Sequence, residues 1–450
     1  MTPEGEASSS NAPPPVQYYN TFPPGEYDGE DGNLPPEYGP FDEIEPLIEP
    51  EQPMKIRTLV TAVGLTVLVF TLTTKQCTVI DAREVAPLAA TEDMYRDKWN
   101  QSRIGWKAIA VPGELHGLRT AFEKFGSGKV EWRHLLKPTI DLLVEGYPTS
   151  HALAKALNQN EAQIRAEPTM KAFINPETGR VFQPGEQIKT RQNLLETMRL
   201  LANSSDPIKE FYEGKIMESL VKEFQKNGGI ITAEDFKNYR SIIHSTENVI
   251  YTKLKNGRAV CGAPPPSGSA VAQAILNVMD GFEYDMKSFS DIATLYHHFL
   301  ESSKFSYAAR SWLGDPSFVG NATQIARNIT SRGWADWVRT KITDRTHPDD
   351  YYGGSFEAPP VDHGTTHVSI IDAQGNAVLG ALVSSESTGI LWNNEMDDFS
   401  TPGHPNFFGF PPSPANFIRP GKRPMSSQSP LIIYNTNGTE LMAVGGAGGS

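Results

Sequence analysis

Apolar residues recur at three- and four-residue spacing between Pro112 and about Thr343. This spacing places them on one face of a helix, so the segment is predicted to be mainly helical. The longest run of this kind covers residues 291–313 and is followed by Gly-Asp-Pro, which ends a helix. His297 and His298 lie within it. Adjacent helical residues point about 100° apart, which favours structural roles for these histidines over a shared metal.

The pattern changes after Asp362, where apolar and polar residues alternate and strands are predicted. Val368 and Ile370 belong to the first alternating run. Residues 374–376, Gln-Gly-Asn, carry a turn signal, and residues 377–383 predict a returning strand. Helices followed by a strand-rich tail predict a mixed α/β fold.

One stretch, from Thr58 to Thr74, is strongly apolar and carries no charge over seventeen residues. Lys55 and Arg57 precede it. This predicts a transmembrane signal-anchor helix over residues 56–75, with a signal-peptide core as the alternative. The positive-inside rule then places the preceding residues in the cytosol and everything after Gln76 outside the cell. The protein is therefore predicted to be a single-pass type II protein of the plasma membrane.

The net charge of −13 is concentrated at the front of the chain. Residues 1–53 hold twelve Asp and Glu, twelve Pro and no Lys or Arg. Such a composition cannot build a packed core, so residues 1–55 are predicted to form a disordered acidic tail. The remainder is nearly neutral, which argues against nucleic acid as a partner.

Five glycosylation sequons follow the apolar stretch and none precedes it, which agrees with an extracellular body. The predicted acceptors are Asn100, Asn203, Asn321, Asn328 and Asn437. Cys77 and Cys261 are the only cysteines. They could pair in an oxidising compartment or remain free, and they do not form a zinc site, so no metal is expected.

Gly364 and Thr365 carry the candidate chemistry. A small residue precedes a threonine that opens the alternating run, an arrangement in which the threonine hydroxyl can attack the preceding carbonyl. Ordinary turn chemistry before a strand is the alternative. If the chain is cut there, Thr365 becomes an N-terminal nucleophile.

Several long motifs stand in a consistent order on both sides of this position. They are residues 79–87 (Val-Ile-Asp-Ala-Arg-Glu-Val-Ala-Pro), 111–114, 228–235 and 313–316 before it, and 389–400 (Gly-Ile-Leu-Trp-Asn-Asn-Glu-Met-Asp-Asp-Phe-Ser), 411–416, 424–427 and 445–449 (Gly-Gly-Ala-Gly-Gly) after it. From about Cys77 to the last residue, the chain resembles the gamma-glutamyltransferase (glutathione hydrolase) family.

The resemblance implies the four-layer α-β-β-α sandwich of N-terminal nucleophile hydrolases. It also implies a large subunit over residues 77–364 and a small catalytic subunit over residues 365–450, both made from one precursor by cleavage after Gly364. The new α-amine of Thr365, with a reference pKa of about 7.7–8.0, would act as base for its own hydroxyl. No metal or organic cofactor is implied.

The resemblance also assigns the substrate contacts. Arg83 would bind the α-carboxylate of a γ-glutamyl substrate, and Glu395 and Asp398 would accept hydrogen bonds from its α-ammonium. Ser426 and Ser427 would add donors to the carboxylate, and the backbone N–H groups of Gly448 and Gly449 would stabilise the oxyanion. The implied substrates are glutathione and other γ-glutamyl peptides, with water, amino acids or dipeptides as acceptors.

The chain departs from the family pattern in three places. The Gly- and Ala-rich block expected before residue 79 is missing, and the family continues beyond the position of Ser450. By ungapped count from Thr365, Val383 and Ser385 stand where the family has Thr and Asn. We therefore expect an incomplete, truncated gene product.

Two alternatives to the enzyme follow from these departures. One is a catalytically silent glycosylated ectodomain of the same family, which has lost activity through the missing segments. The other is an N-terminal nucleophile amidase with a different acyl preference, against which the retention of Arg83, Glu395 and Asp398 argues.

Overall fold

The computed structural model describes residues 58–63, 66–71, 75–354, 381–406, 411–435 and 441–444. Two four-stranded sheets and a two-stranded ribbon account for the strands in this part of the chain. The strands are β1 (Thr58–Val63), β2 (Thr66–Thr71), β3 (Gln76–Asp81), β4 (Tyr147–Pro148), β5 (Gln187–Ile188), β6 (Ile242–His244), β7 (Ile250–Lys253), β8 (Arg258–Gly262), β9 (Leu431–Asn435) and β10 (Leu441–Val444).

Helices occupy most of the chain between the strands. They are α1 (Glu114–Phe125), α2 (Trp132–Glu145), α3 (His151–Gln159), α4 (Glu161–Ala166), α5 (Gln192–Asn203), α6 (Pro207–Tyr212), α7 (Lys215–Lys226), α8 (Ala233–Asn238), α9 (Ser269–Met279), α10 (Phe289–Arg310), α11 (Ala322–Ile329), α12 (Arg332–Lys341) and α13 (Asp349–Tyr352). Short 3-10 helices lie at Trp99–Ser102, Pro168–Phe173, Lys255–Gly257, Glu395–Asp398 and Pro414–Asn416.

The two larger sheets form the middle layers of the fold. The first has the order β1-β2-β3-β6 and the second the order β10-β9-β8-β7, and every neighbouring pair is antiparallel. Alternate strand residues point to opposite faces of a sheet. Leu68 and Val79 of the first sheet accordingly pack against Ala259 and Ile432 of the second in a shared buried cluster.

A helix covers the outer face of each sheet. Val67, Val69 and Ile80 pack against Ala121 and Phe125 of α1. On the other side, α9 packs on β7, where Ile250 joins a buried cluster with Ala270, Val271 and Ala274 of α9. The predicted α-β-β-α sandwich is therefore confirmed.

A disulfide joins the two sheets. Cys77 of β3 and Cys261 of β8 are bonded, with 6.7 Å between their Cα atoms. Both side chains are buried in the cluster between the sheets. The sequence left open whether these cysteines pair, and the structure answers that they do.

The predicted membrane helix over residues 56–75 is wrong. Residues 58–63 and 66–71 form the antiparallel strands β1 and β2, and β2 pairs along its length with β3. Eight of these twelve residues are Val or Thr, whose branched side chains favour strands. Within the described residues, no helix is long and apolar enough to cross a membrane.

The strand predictions after Asp362 have a mixed outcome. Residues 364–376 lie outside the described residues. Ala381 to Val383, expected at the end of the returning strand, are irregular, and Leu382 adopts a φ of 53°, which interrupts an extended chain. Strands β6, β7 and β8 also lie within the region predicted to be mainly helical.

Candidate active site

Arg83 lies at the end of an inner strand, in the loop that follows β3. The Asp81 carboxylate accepts a hydrogen bond of 2.9 Å from the Arg83 backbone N–H, and the Tyr239 hydroxyl donates to the Arg83 carbonyl at 3.0 Å. The Arg83 side chain is only 2% exposed. The loop backbone is thus fixed on both sides, and the guanidinium points into the protein.

The Arg83 guanidinium binds two carboxylates that are more than 300 residues away in the chain. Its Nη1 donates to Glu395 Oε1 at 2.7 Å, and its Nη2 donates to Asp398 Oδ2. Its Nε lies 3.4 Å from the carbonyl oxygen of Pro424. The structure therefore brings together three of the residues that the sequence assigned to one substrate site.

Two asparagine side chains position the acidic 3-10 helix Glu395–Asp398. Asn393 pairs with both backbone groups of Ala110, at 3.0 and 3.1 Å, and its Oδ1 also accepts from the Glu395 N–H at 3.1 Å. Asn416 donates to the Asp398 carbonyl at 2.8 Å and accepts from the backbone N–H of Met425 at 2.9 Å. These bonds hold both ends of the helix against Arg83 and the segment after Pro424.

The electrostatics of the cluster keep Arg83 charged. Burial alone lowers the pKa of Arg83, but the carboxylates of Glu395 and Asp398 reverse this effect, and its pKa lies above the ordinary value. Burial raises the pKa of Glu395 well above its usual range, although Arg83 opposes the shift. One buried cation and two acidic groups can therefore offer complementary partners to a zwitterion, whose carboxylate and ammonium are a fixed distance apart.

The two predicted serines occupy different positions. Ser426 is buried and lines a small cavity of about 10 Å³ together with Arg83 and Asp81. Its backbone N–H donates to Pro266 at 2.7 Å, and its Oγ accepts from the Gln428 N–H at 3.0 Å. Ser427 is exposed and lines a separate cavity of about 70 Å³. Ser426 thus lines the same cavity as Arg83, whereas Ser427 lines a cavity that Arg83 does not reach.

The remaining predicted site residues divide into two groups. Gly364, Thr365, Gly448 and Gly449 lie outside the described residues, as does the sequon residue Asn437. The other four sequon asparagines, Asn100, Asn203, Asn321 and Asn328, are exposed, and glycosylation stays a prediction.

A second arginine, half-buried beside the cluster, was not predicted from the sequence. Arg310, at the end of α10, lines the cavity that contains Ser427 and also a cavity of about 230 Å³ that contains Asp398. Burial lowers its pKa, and the Asp398 carboxylate opposes this effect. A helix-terminal arginine usually lies at the surface, so the pattern of α10 gave no signal that this cation would line the two cavities.

Glu84 was also missed, although it follows Arg83 directly. Its side chain is only 5% exposed, and burial raises its pKa to about 8, against the opposing effect of the Arg83 guanidinium. A signal was present in the sequence, because Asp81, Arg83 and Glu84 are charged residues inside an otherwise apolar run that continues from β3. Charged residues in such a run are seldom buried without a specific partner.

The stability of the protein is expected to depend on pH through Glu84. The folded state holds the Glu84 proton up to about pH 8, whereas an unfolded Glu titrates near about 4.3. Glu84 therefore contributes stability that is complete below about pH 4 and is lost as the pH rises to about 8. Between about pH 5 and pH 8, the free energy of unfolding should fall by a few kcal/mol more in the wild type than in Glu84→Gln. Urea unfolding of both proteins at a series of pH values measures this, and parallel pH profiles would contradict it.

Among the described residues, no group of three His, Cys, Asp or Glu side chains is placed to hold a metal ion. His297 and His298 instead bind within the protein, as expected for structural residues. The His297 ring contacts the Thr343 carbonyl at 2.6 Å, and the His298 ring contacts the Tyr284 hydroxyl at 2.9 Å.

Comparison with known proteins places this geometry in a family. A sequence profile described as Gamma-glutamyltranspeptidase matches residues 63–450, so the match begins within the segment that forms β1 and β2. The chain is 40% identical to Scoloptoxin SSD14 of Scolopendra dehaani over 402 residues, covering 86% of this chain and 68% of that protein. It is 38% identical to Glutathione hydrolase 2 of Arabidopsis thaliana over 384 residues, covering 82% and 64%.

Solved structures support the same fold. The gamma-glutamyltranspeptidase of Helicobacter pylori superposes with a TM-score of 0.57 at 25% identity, over 64% of this chain and 80% of that one. Cephalosporin acylase from Bacillus halodurans gives a TM-score of 0.64 at 22% identity, over 85% and 69%, a likeness that bears on fold alone.

The chain is shorter than the proteins that it matches. It spans 58 to 68% of the length of the first three curated relatives. Within that span, the profile match covers strands β2 to β10, Arg83 and the acidic 3-10 helix. The chain belongs to the gamma-glutamyltranspeptidase family.

Proposed function

We propose that this chain is a self-processing glutathione hydrolase and γ-glutamyl transferase. The observation that carries the proposal is the buried cluster in which Arg83 meets Glu395 and Asp398. Relatives at 32 to 38% identity are named glutathione hydrolases, which supports the same substrate class. Glutathione and other γ-glutamyl peptides are the proposed donors, and water, amino acids or dipeptides are the proposed acceptors.

The cluster suits the end of a γ-glutamyl group that is remote from its scissile amide. That end carries an α-carboxylate and an α-ammonium. The guanidinium of Arg83 can pair with the carboxylate, and the carboxylates of Glu395 and Asp398 can accept from the ammonium. In the free protein, Arg83 forms ion pairs with both carboxylates. The distance between Arg83 Nη1 and Glu395 Oε1 is 2.7 Å. Substrate binding would replace these ion pairs by an ion pair of Arg83 with the substrate carboxylate and ion pairs of Glu395 and Asp398 with the substrate ammonium.

The proposed chemistry begins with maturation of the precursor. The Thr365 hydroxyl attacks the Gly364 carbonyl, and water opens the resulting ester to give a large fragment ending at Gly364 and a small one starting at Thr365. The freed α-amine then takes the proton of the Thr365 hydroxyl as it attacks the γ-carbonyl of the substrate. The departing amine receives the proton, and water or an acceptor amine releases the glutamyl group from the Thr365 ester.

We further propose that the body of the protein acts outside the cell. The Cys77–Cys261 disulfide supports this, because such bonds persist in oxidising compartments. The exposed sequon residues agree with it. Type II attachment to the plasma membrane stays a prediction from the sequence, and a helix formed by residues 58–71 is no longer part of it.

Replacing the nucleophile tests the proposed function. Wild-type protein should separate into two fragments at Gly364–Thr365 on a denaturing gel, whereas Thr365→Ala should remain one chain. Release of the chromogenic amine from a γ-glutamyl anilide should fall by at least about a thousandfold in the variant. The neighbouring Thr366→Ala serves as the matched control and should still be cut.

The same experiment distinguishes the enzyme from the silent ectodomain. If wild type remains a single chain and releases no amine, this chain has the scaffold without the activity. Val383 and Ser385, at positions where Thr and Asn were expected, are the residues that motivate this second candidate. Both side chains are buried.

A further inference from the structure

A large apolar cavity lies on the other side of the loop that carries Arg83. Its volume is about 650 Å³, within the range of about 300–1,000 Å³ typical of small-molecule sites. Helices α1, α2 and α5 and the segment around Trp392 form its walls. The side chains that set its character are Leu118, Phe122, Trp132, Leu135, Met198 and Leu201.

The wall near the mouth of the cavity is apolar and open to solvent. Leu118 is 48% exposed and Leu135 is 51% exposed, although both point into the space between helices. Leaving such surface in water is unfavourable by roughly 25 cal/mol per Å². An apolar occupant would remove it from water.

The polar groups of the wall are mostly satisfied within the protein. Trp132 Nε1 donates to the Leu201 carbonyl at 3.2 Å, Thr197 Oγ1 donates to Thr388 at 2.9 Å, and the Tyr212 hydroxyl donates to Pro112 at 2.9 Å. These groups fix the shape of the cavity and leave little hydrogen-bonding capacity for a ligand.

Glu84 and Trp392 are the exceptions, because Glu84 Oε2 and Trp392 Nε1 have no hydrogen-bond partner among the described residues. The Glu84 side chain is 95% buried, and its carboxyl is the acidic one of these two groups. Glu114, an exposed residue at the start of α1, brings a second carboxyl to the same wall. A buried acceptor without a donor is costly, and each missing bond weakens the folded state.

Glu84 and Arg83 line different cavities, although they are neighbours in the chain. Arg83 lines the small cavity that contains Ser426, whereas Glu84 lines the large one. The acidic wall is therefore separate from the proposed γ-glutamyl contacts of Arg83, Glu395 and Asp398.

We propose that this cavity binds an amphiphilic amine, with its apolar body against the leucine and aromatic walls and its ammonium on the carboxyls of Glu84 and Glu114. An ammonium supplies both the hydrogen-bond donors and the positive charge that the acidic wall lacks. A neutral alcohol of the same shape supplies a donor without the charge, and a carboxylic acid adds a like charge. The cavity should rank the three in that order.

Isothermal titration calorimetry on the full chain tests the ranking with three matched probes at about pH 9, because the Glu84 carboxyl of the free protein, with a pKa of about 8, is charged there. These are 3,3-diphenylpropylamine, 3,3-diphenylpropan-1-ol and 3,3-diphenylpropionic acid. A hydrogen bond to a charged group is strong enough for the amine to bind about tenfold to a hundredfold more tightly than the alcohol. The acid should bind most weakly. Equal affinities for amine and alcohol, or no binding of either because other polypeptide fills the space, would overturn the proposal.

Three variants locate the binding site. Glu84→Gln should bind the alcohol as before and lose most of the preference for the amine. Thr139→Trp, which places an indole in the cavity wall, should block both probes. Glu145→Gln, an exposed carboxyl outside the lining, is the matched control and should behave as wild type. A Glu84→Gln protein that keeps the full preference sinks the assignment to Glu84, and the wild-type ranking stands as a test even if a variant does not fold.

Discussion

An Arg83→Met variant is expected to lose about 3–5 kcal/mol of its free energy of unfolding and all measurable γ-glutamyl cleavage. Arg83 is buried and pairs with Glu395 and Asp398. Removing the cation leaves Glu395 and Asp398, whose side chains are 18% and 21% exposed, without their partner, and an unpaired charge that is largely removed from water is costly. Urea unfolding near pH 7, followed by tryptophan fluorescence, measures the stability, and amine release from a γ-glutamyl anilide measures the activity.

Two further variants separate charge burial from a general defect. Arg96→Met breaks an exposed ion pair with Asp93, at 57% and 63% exposure, and should change stability by less than about 1 kcal/mol. The double variant Arg83→Met/Asp398→Asn should recover at least about 1 kcal/mol of the loss without recovering activity, because it removes the charge of one carboxyl that has lost its partner. A loss of under 1 kcal/mol in Arg83→Met would show that water solvates the two carboxylates once Arg83 is removed, which would contradict this prediction.

Removing the disulfide is expected to have an effect of similar size. The Cys77–Cys261 bond closes a loop with a sequence separation of 184. In the chain-entropy treatment, a loop of this length restricts the unfolded chain by roughly 5 kcal/mol, a large fraction of the total stability of about 5–15 kcal/mol. The Cys77→Ala/Cys261→Ala variant should therefore unfold at a much lower urea concentration than wild type.

Alanine is the suitable replacement at both positions. The two cysteines are 2% and 0% exposed, and serine would bury hydroxyl groups between the sheets. Wild type treated with dithiothreitol under mild denaturing conditions should approach the stability of the variant. If the variant and oxidised wild type have the same urea midpoint, the cross-link contributes nothing and the interpretation is wrong.

The layered fold and the acidic cluster could be predicted from the sequence for different reasons. Helical periodicity before residue 343 gave helices such as α10, and the family resemblance supplied the four layers. Arg83, Glu395 and Asp398 came from motifs that each have a distinct local pattern. No local pattern states that the first lies 2.7 Å from the second across 312 residues, so only the resemblance could join them.

The wrong prediction, the question left open and the residue not predicted all involve features that depend on tertiary context. An uncharged run such as Thr58 to Thr74 is compatible with a membrane helix or with buried strands, and only its pairing with β3 decides between them. The pairing of Cys77 with Cys261 depends on two sheets meeting face to face. The burial of Glu84 depends on how α1 and α2 pack beside the loop, which no spacing in the sequence encodes.

The order of strands in the second sheet has a consequence for the matured protein. Strand β9 pairs with β8 on one side and with β10 on the other. Cleavage after Gly364 would assign β7 and β8 to one polypeptide and β9 and β10 to the other, while Cys77 and Cys261 stay in the same fragment. The two products would then be held together by backbone hydrogen bonds between β8 and β9. The Cys77–Cys261 disulfide would not link them covalently. They should migrate as a single species on a native gel and come apart in detergent without any reducing agent.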